Sequence, residues 1–232
     1  MPGQPEVVVD HPHPGVRRIR LNRPGRRNAL TPAMTAMLAD ALAAPGQRVI
    51  VLGSTDPAVL SAGADLTLAD QDRAALSDQL YALYELMLEL PVPIIAAWDG
   101  PAVGGGAQLT LAADLRIVGP AARLRFVGLG HGLALGGWAL PGLVGRGRAL
   151  DWTLTMRWVS AAEAWQAGLV SEPASEPEAA ALAAAAAICA LDPAAAGRLK
   201  QAVNDGGLVA RLRRERRGNA TWTGSVSGPA DG

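Results

Sequence analysis

With 232 residues, half of them hydrophobic, the chain is long enough for one large domain or two small ones and can bury a sizeable core. Its formal net charge is zero and its pI near 6.8, which removes any electrostatic argument for nucleic acid or an anionic membrane surface. No apolar run reaches about 18 residues, and the opening MPGQPEVVVDHPHPG lacks the basic-then-apolar layout of a secretion signal, so a cytoplasmic protein without membrane insertion is expected.

In chain order, Glu6 to Asp10 and Val16 to Leu21 read as two strands joined by the turn-prone HPHPG. His11 and His13 lie between prolines in that turn, where solvation is the expectation and a metal is not. The polar loop Asn22 to Leu30 ends at a helix whose N-cap is Thr31, with Pro32 in its first turn, and which Pro45-Gly46 stops. Arg48 to Gly53 is a buried strand. Thr67 to Asp78 is polar, and a helix then runs to about Leu90, with Leu80, Leu83, Leu86, Met87 and Leu90 at core spacing. Pro93 to Trp98 and Arg116 to Val118 are further strands, so strands and helices alternate in an α/β pattern with mostly parallel pairing. From Leu140 the chain becomes almost wholly helical. Arg211 to Arg217 is a basic helix face suited to solvent or a subunit contact, and the tail from Gly218 is expected to be frayed. The single cysteine, Cys189, can form no internal disulfide and has no neighbouring ligands, so no metal site is expected.

Two glycine turns carry the chemistry. Gly104-Gly105-Gly106 follows an apolar strand and leads into a buried helix, and Ala62-Gly63-Ala64 follows another strand. Glycine lets backbone N–H groups approach a ligand closely, and a helix start leaves its first N–H groups unpaired and partly positive. Two such groups aimed at one oxygen make an oxyanion hole. Neither turn is specific alone, since GGG before a helix also serves close packing. A phosphate-binding reading fails, because there is no GxxxxGK[ST] and no GxGxxG with a following acid.

The ordered set LNRPGRRNALT, LSAGADL, GPAVGGGAQLTLAADLRI, GLALGGW and SAAEAWQAGLV resembles the crotonase family, the enoyl-CoA hydratase/isomerase superfamily, from about Val7 to Leu212. The resemblance implies the crotonase spiral α/β fold. Residues 1–140 would form the core with the acyl-CoA site, 141–217 a helical region at trimer contacts, and 218–232 a tail without order. It implies a homotrimer or a dimer of trimers, a place in fatty-acid metabolism, and no cofactor beyond the coenzyme A carried by the ligand. It assigns the oxyanion donors to the N–H groups of Ala64 and Gly105.

The same resemblance calls for two glutamates, and the chain departs from it. One position holds Gln108, whose amide cannot exchange a proton near neutral pH. Laying Leu124 to Gly132, LRFVGLGHG, on the family segment F-x-x-P-E-x-x-L-G puts Gly128 at the other. Hydration of a C=C bond needs groups to activate water and to protonate carbon. The expected activity is therefore acyl-CoA binding with little or no hydration. The alternative is a crotonase-type isomerase, decarboxylase or thioester hydrolase using His131 or Asp70. For coenzyme A the resemblance points to Arg26, Arg27, Ala62, Asp65 and Leu66, although exposed arginines also merely solvate, and Asp65 also reads as a cap. Leu133, Leu135 and Trp138 are candidates for the acyl channel, with core burial the other reading of Trp138. Asp114 reads as a structural carboxylate at a helix-to-strand junction.

Overall fold

The computed structural model describes residues 5–226. A six-stranded sheet runs in the order β1 (Val7–His13), β2 (Val16–Leu21), β3 (Val49–Ser54), β4 (Ile94–Trp98), β6 (Leu115–Val118) and β9 (Glu172–Pro173). β1 and β2 are an antiparallel hairpin turning at Gly15, and every later neighbour pairs in parallel. β3 and β4 are apolar and buried almost throughout, as strands covered on both faces must be. A smaller sheet joins β5 (Pro101–Val103), β7 (Arg123–Arg125) and β8 (Val159–Ser160). Strands of two or three residues show no periodicity, and the sequence reading did not find them. His11 and His13 lie within β1, not in a loop, and among the described residues no group of three metal-binding side chains exists.

One face of the large sheet is covered by α1 (Pro32–Ala43), α2 (Asp70–Glu89) and α3 (Gly105–Ala112), which share one core with its side chains. Thr31 caps α1 as expected, accepting the Met34 N–H at 3.0 Å. The polar stretch before α2 proves to be its first turns. Asp70 and Asp72 suit the positive helix start, and Arg73 is buried, donating to the Leu66 carbonyl at 2.9 Å.

The opposite face is covered by α7 (Pro177–Cys189), whose fully buried Ala181 and Ala185 lie against Val49, Val51, Ile95 and Ile117. Alanine there lets the helix approach the sheet closely. The remaining helices are α4 (Leu140–Val144), α5 (Arg146–Leu154), α6 (Ala161–Gln166), α8 (Pro193–Asn204) and α9 (Leu208–Gly218). Within 141–217, β8 and β9 pair into the two sheets and α7 covers the second face of the large one. Lys200 on α8 is buried and donates to the Met87 and Val92 carbonyls at 2.8 and 3.0 Å. It also pairs with Asp114 at 2.9 Å, and Asp114 accepts the Ile94 N–H at 2.7 Å, the structural role expected of it.

The tail makes contacts with the core as far as it is described. The Arg73 Nε donates to the Gly224 carbonyl at 2.8 Å, and the Asn219 side chain binds both the N–H and the carbonyl of Ala134. The rest of the expected disordered tail, 227–232, lies outside the described residues. Among the described residues no single helix is long and apolar enough to cross a membrane.

Candidate functional site

The two glycine turns meet back to back. Ser61 is the joint: its Oγ donates to the Asn28 carbonyl at 2.8 Å and accepts the Gly63 N–H at 3.1 Å, and its carbonyl accepts the Val103 N–H at 3.0 Å. A Cβ at Gly106 would fall 2.6 Å from that of Ser61, and one at Gly63 (φ +90°) would fall 2.9 Å from the Val103 carbonyl oxygen. Only glycine permits this approach. Leu30 donates to the Gly63 carbonyl at 2.7 Å and accepts from the Asp65 N–H at 2.9 Å. A parallel bridge of that kind turns the intervening Ala64 N–H to the other side. Neither the Ala64 N–H nor the Gly105 N–H, at the start of α3, has a protein acceptor among the described residues.

Both residues line a cavity of about 940 Å³. Leu66, Leu80, Leu133 and Leu135 give it apolar wall, while Arg27, Arg123 and Arg125 supply positive charge. The Arg123 and Arg125 guanidinium carbons lie 4.2 and 5.5 Å from the centre of the Trp158 ring, which also lines the cavity. These three residues escaped the sequence reading. The alternation Arg123-Leu124-Arg125 was the available signal, since residues two apart on a strand share a face. Arg27 borders the cavity with Ala62 and Leu66, but Arg26 does not. Asp65 also stands outside it: burial works to raise its pKa, but hydrogen bonds from Thr67 and Arg23 hold it at about 2. It closes the turn at Thr67 and pairs with Arg23 at 2.6 Å, and it caps no helix.

Gln108 lies one turn into α3 and is 2% exposed. Its Oε1 accepts the Trp138 indole N–H at 2.8 Å and the Gly136 N–H at 3.2 Å. Two donors facing one atom make that atom the oxygen, so the Gln108 NH₂ is the group left for the cavity it lines. Trp138 is buried, stacked 6.4 Å from Tyr84, and does not line the cavity. It orients Gln108 and is not part of the acyl channel, the second of its two readings. Gly128 does line the cavity, but the space beside it is filled: a Cβ there would fall 2.3 Å from the Leu135 Cγ and 2.6 Å from the Leu133 carbonyl oxygen.

A carboxylate that the sequence reading passed over stands behind this wall. Glu215 on α9 accepts the Tyr81 hydroxyl at 2.7 Å, the Gly136 N–H at 3.1 Å and the Trp138 N–H at 3.0 Å. Burial pushes its pKa up to about 7, opposed by the hydrogen bonds from Tyr81, Gly136, Trp138 and Gly137. Burial and then the nearby Glu215 charge raise the pKa of both Tyr81 and Tyr84.

His131 lines the cavity, and burial followed by the Arg73 charge keeps its imidazole below its ordinary pKa. It is therefore neutral at physiological pH. Asp70 does not line the cavity; its side chain is largely exposed and pairs with Arg73. Asp56 is the one carboxylate residue in the cavity wall among the described residues, and its Oδ1 accepts the Ala58 N–H at 2.9 Å within its own turn.

A sequence profile described as enoyl-CoA hydratase/isomerase matches residues 12–227. The probable enoyl-CoA hydratase echA6 of Mycobacterium leprae is 38% identical over 205 residues, covering 84% of this chain and 81% of that protein. An enoyl-CoA hydratase/isomerase structure from Xanthobacter autotrophicus Py2 superposes with a TM-score of 0.86 at 27% identity, covering 96% of this chain and 88% of the other. A putative enoyl-CoA hydratase from Thermobifida fusca YX, solved in complex with CoA, gives 0.77 at 30% identity, covering 92% and 91%. The two sheets with flanking helices therefore form the crotonase fold. The chain belongs to the enoyl-CoA hydratase/isomerase family.

Proposed function

We propose that this chain binds an acyl-CoA thioester, holding its carbonyl oxygen with the N–H groups of Ala64 and Gly105, and that it hydrates enoyl-CoA substrates little or not at all. The observation that carries this reading is the wall around those two donors. The resemblance assigns hydratase glutamates to positions 108 and 128. The first holds an amide fixed by Trp138 and Gly136, and beside the second the space belongs to Leu135. Gln108 can donate a hydrogen bond to the thioester oxygen, but it has no proton to transfer near neutral pH. Arg27 and Arg123 give the cavity paired donors that suit the phosphates of coenzyme A, and the CoA complex of the Thermobifida fusca relative supports coenzyme A as part of the ligand. A homotrimer or a dimer of trimers is the assembly that the family resemblance implies. Calorimetric titration with acyl-CoAs tests the binding, and the absence of heat with any chain length would remove it.

A second reading rests on His131. A neutral imidazole in the wall of the same cavity is a competent proton acceptor. In that case the chain is an isomerase, decarboxylase or thioester hydrolase. His131→Ala separates the two readings: it leaves acyl-CoA affinity nearly unchanged in a carrier and abolishes whatever turnover is found in an enzyme.

A further inference from the structure

The segment 134–138 hangs from α9 at three successive points. Arg211 in the first turn of α9, Glu215 in its C-terminal half and the C-cap residue Asn219 recur every four residues and so lie along one side of the helix. Asn219 takes both backbone groups of Ala134, Glu215 takes the N–H groups of Gly136 and Trp138, and the Arg211 Nε donates to the Trp138 carbonyl at 3.0 Å. Tyr81 on α2 adds its hydroxyl to the Glu215 carboxylate and to the Ala134 carbonyl at 3.1 Å. The segment held in this way places Leu135 in the cavity wall, in the space that any side chain at residue 128 would need. The Gly136 N–H is shared between Glu215 and Gln108, so the same hold fixes the amide of Gln108.

We infer that Glu215 is a positioning residue for the acyl group: by clamping residues 136 and 138 it seats Leu135 beside Gly128 and so excludes acyl groups that are bulky there. The inference rests on the acyl-CoA binding proposed above. Glu215 does not line the cavity; it acts through Leu135 and Gln108. A buried carboxylate is a costly way to hold a loop if stability is its only purpose, because the ionised form is disfavoured without full pairing. Without it the Trp138 N–H would lose its acceptor and the Gly136 N–H would keep only Gln108.

The test compares butyryl-CoA with isovaleryl-CoA, which carries one extra methyl near the thioester, by calorimetry on wild type, Leu135→Ala, Glu215→Ala and their double mutant. One methyl group in an apolar pocket discriminates by roughly ten-fold or more. Leu135→Ala and Glu215→Ala should each shift the affinity ratio towards isovaleryl-CoA by about that factor, and the double mutant should go no further, as expected when one residue acts through another. A shift in Leu135→Ala but none in Glu215→Ala overturns the role of Glu215, and additive shifts overturn its action through Leu135. Should Glu215→Ala fail to fold, Glu215→Gln keeps the volume and one acceptor, and should shift the ratio in the same direction by less; an unchanged ratio there overturns the inference. If wild type binds neither ligand, the acyl-CoA proposal fails, and amide hydrogen exchange of the ligand-free protein decides the clamp. Residues 136 and 138 should then lose protection in Glu215→Gln, and unchanged protection overturns the inference.

Discussion

Replacing Glu215 by glutamine should change how stability depends on pH. The folded-state pKa is raised from 4.5 to about 7, chiefly by burial. The folded protein thus holds that proton more tightly than the unfolded chain does. This group's contribution to stability is complete below about pH 4.5, is lost as pH rises towards 7, and is constant above that. At roughly 1.4 kcal/mol per pKa unit the loss is about 3 kcal/mol. Glutamine does not titrate, so its cost, an NH₂ set against the Gly136 or Trp138 N–H, is the same at every pH. Urea unfolding of both proteins at pH 4, 5, 6, 7 and 8, at one protein concentration, yields the difference curve. His131, whose pKa is depressed, gains stability as pH rises in part of that window, but both proteins carry it and it cancels. Wild type should lose about 3 kcal/mol relative to the variant between the acidic and alkaline plateaus. Parallel curves across the range would show that Glu215 is not buried against residues 136–138, and the clamp described for α9 would go with it.

Placing a glutamate at residue 128 should not create a hydratase. A Cβ there meets the Leu135 Cγ at 2.3 Å and the Leu133 carbonyl oxygen at 2.6 Å, so Gly128→Ala already overpacks the wall, and Gly128→Glu does so more severely. A loss of about 1–3 kcal/mol is expected in thermal or chemical unfolding. Gly63→Ala places a side chain at φ +90° and 2.9 Å from the Val103 carbonyl oxygen. It should cost about 1–3 kcal/mol and weaken acyl-CoA binding by moving the Ala64 N–H, with calorimetry showing the affinity change. Trp138→Phe removes the indole donor to Gln108 Oε1 and should destabilise the fold by about 1–2 kcal/mol, with a melting temperature lower than that of wild type. Retention of full stability would show that the indole bond contributes little.

What could be read from the sequence is what is local. The Thr31-Pro32 cap, the strand Val16–Leu21 and the two glycine turns announce themselves within a few residues and lie where they were expected, whereas β1 runs on to His13 through the expected turn. Gln108 was legible only through the family resemblance, which marks the residue three after Gly105. The Glu215 clamp was not, because its partners Tyr81, Gly136 and Trp138 are 77 to 134 residues away in sequence and the helix that carries it reads only as a basic face. The expected gap at Gly128 became a filled space for a similar reason: a glycine in the sequence says nothing about which distant side chain, here Leu135, will occupy the room it leaves. Arg73 lies in the run Thr67 to Asp78 that reads only as polar, yet its guanidinium is satisfied by the Leu66 and Gly224 carbonyls and by Asp70, contacts that no local pattern announces.

The central claim is a cavity that grips a thioester carbonyl without the carboxylates that hydration requires. Each missing acid or base group is worth about 10² to 10⁴ in rate, so wild type should hydrate crotonyl-CoA at least about 10⁴-fold more slowly than a working hydratase. The measurement is the loss of crotonyl-CoA absorbance with wild type, run beside Gln108→Glu and after calorimetry has established binding. The account predicts binding with no detectable hydration in wild type. Wild-type turnover at ordinary hydratase rates would contradict it.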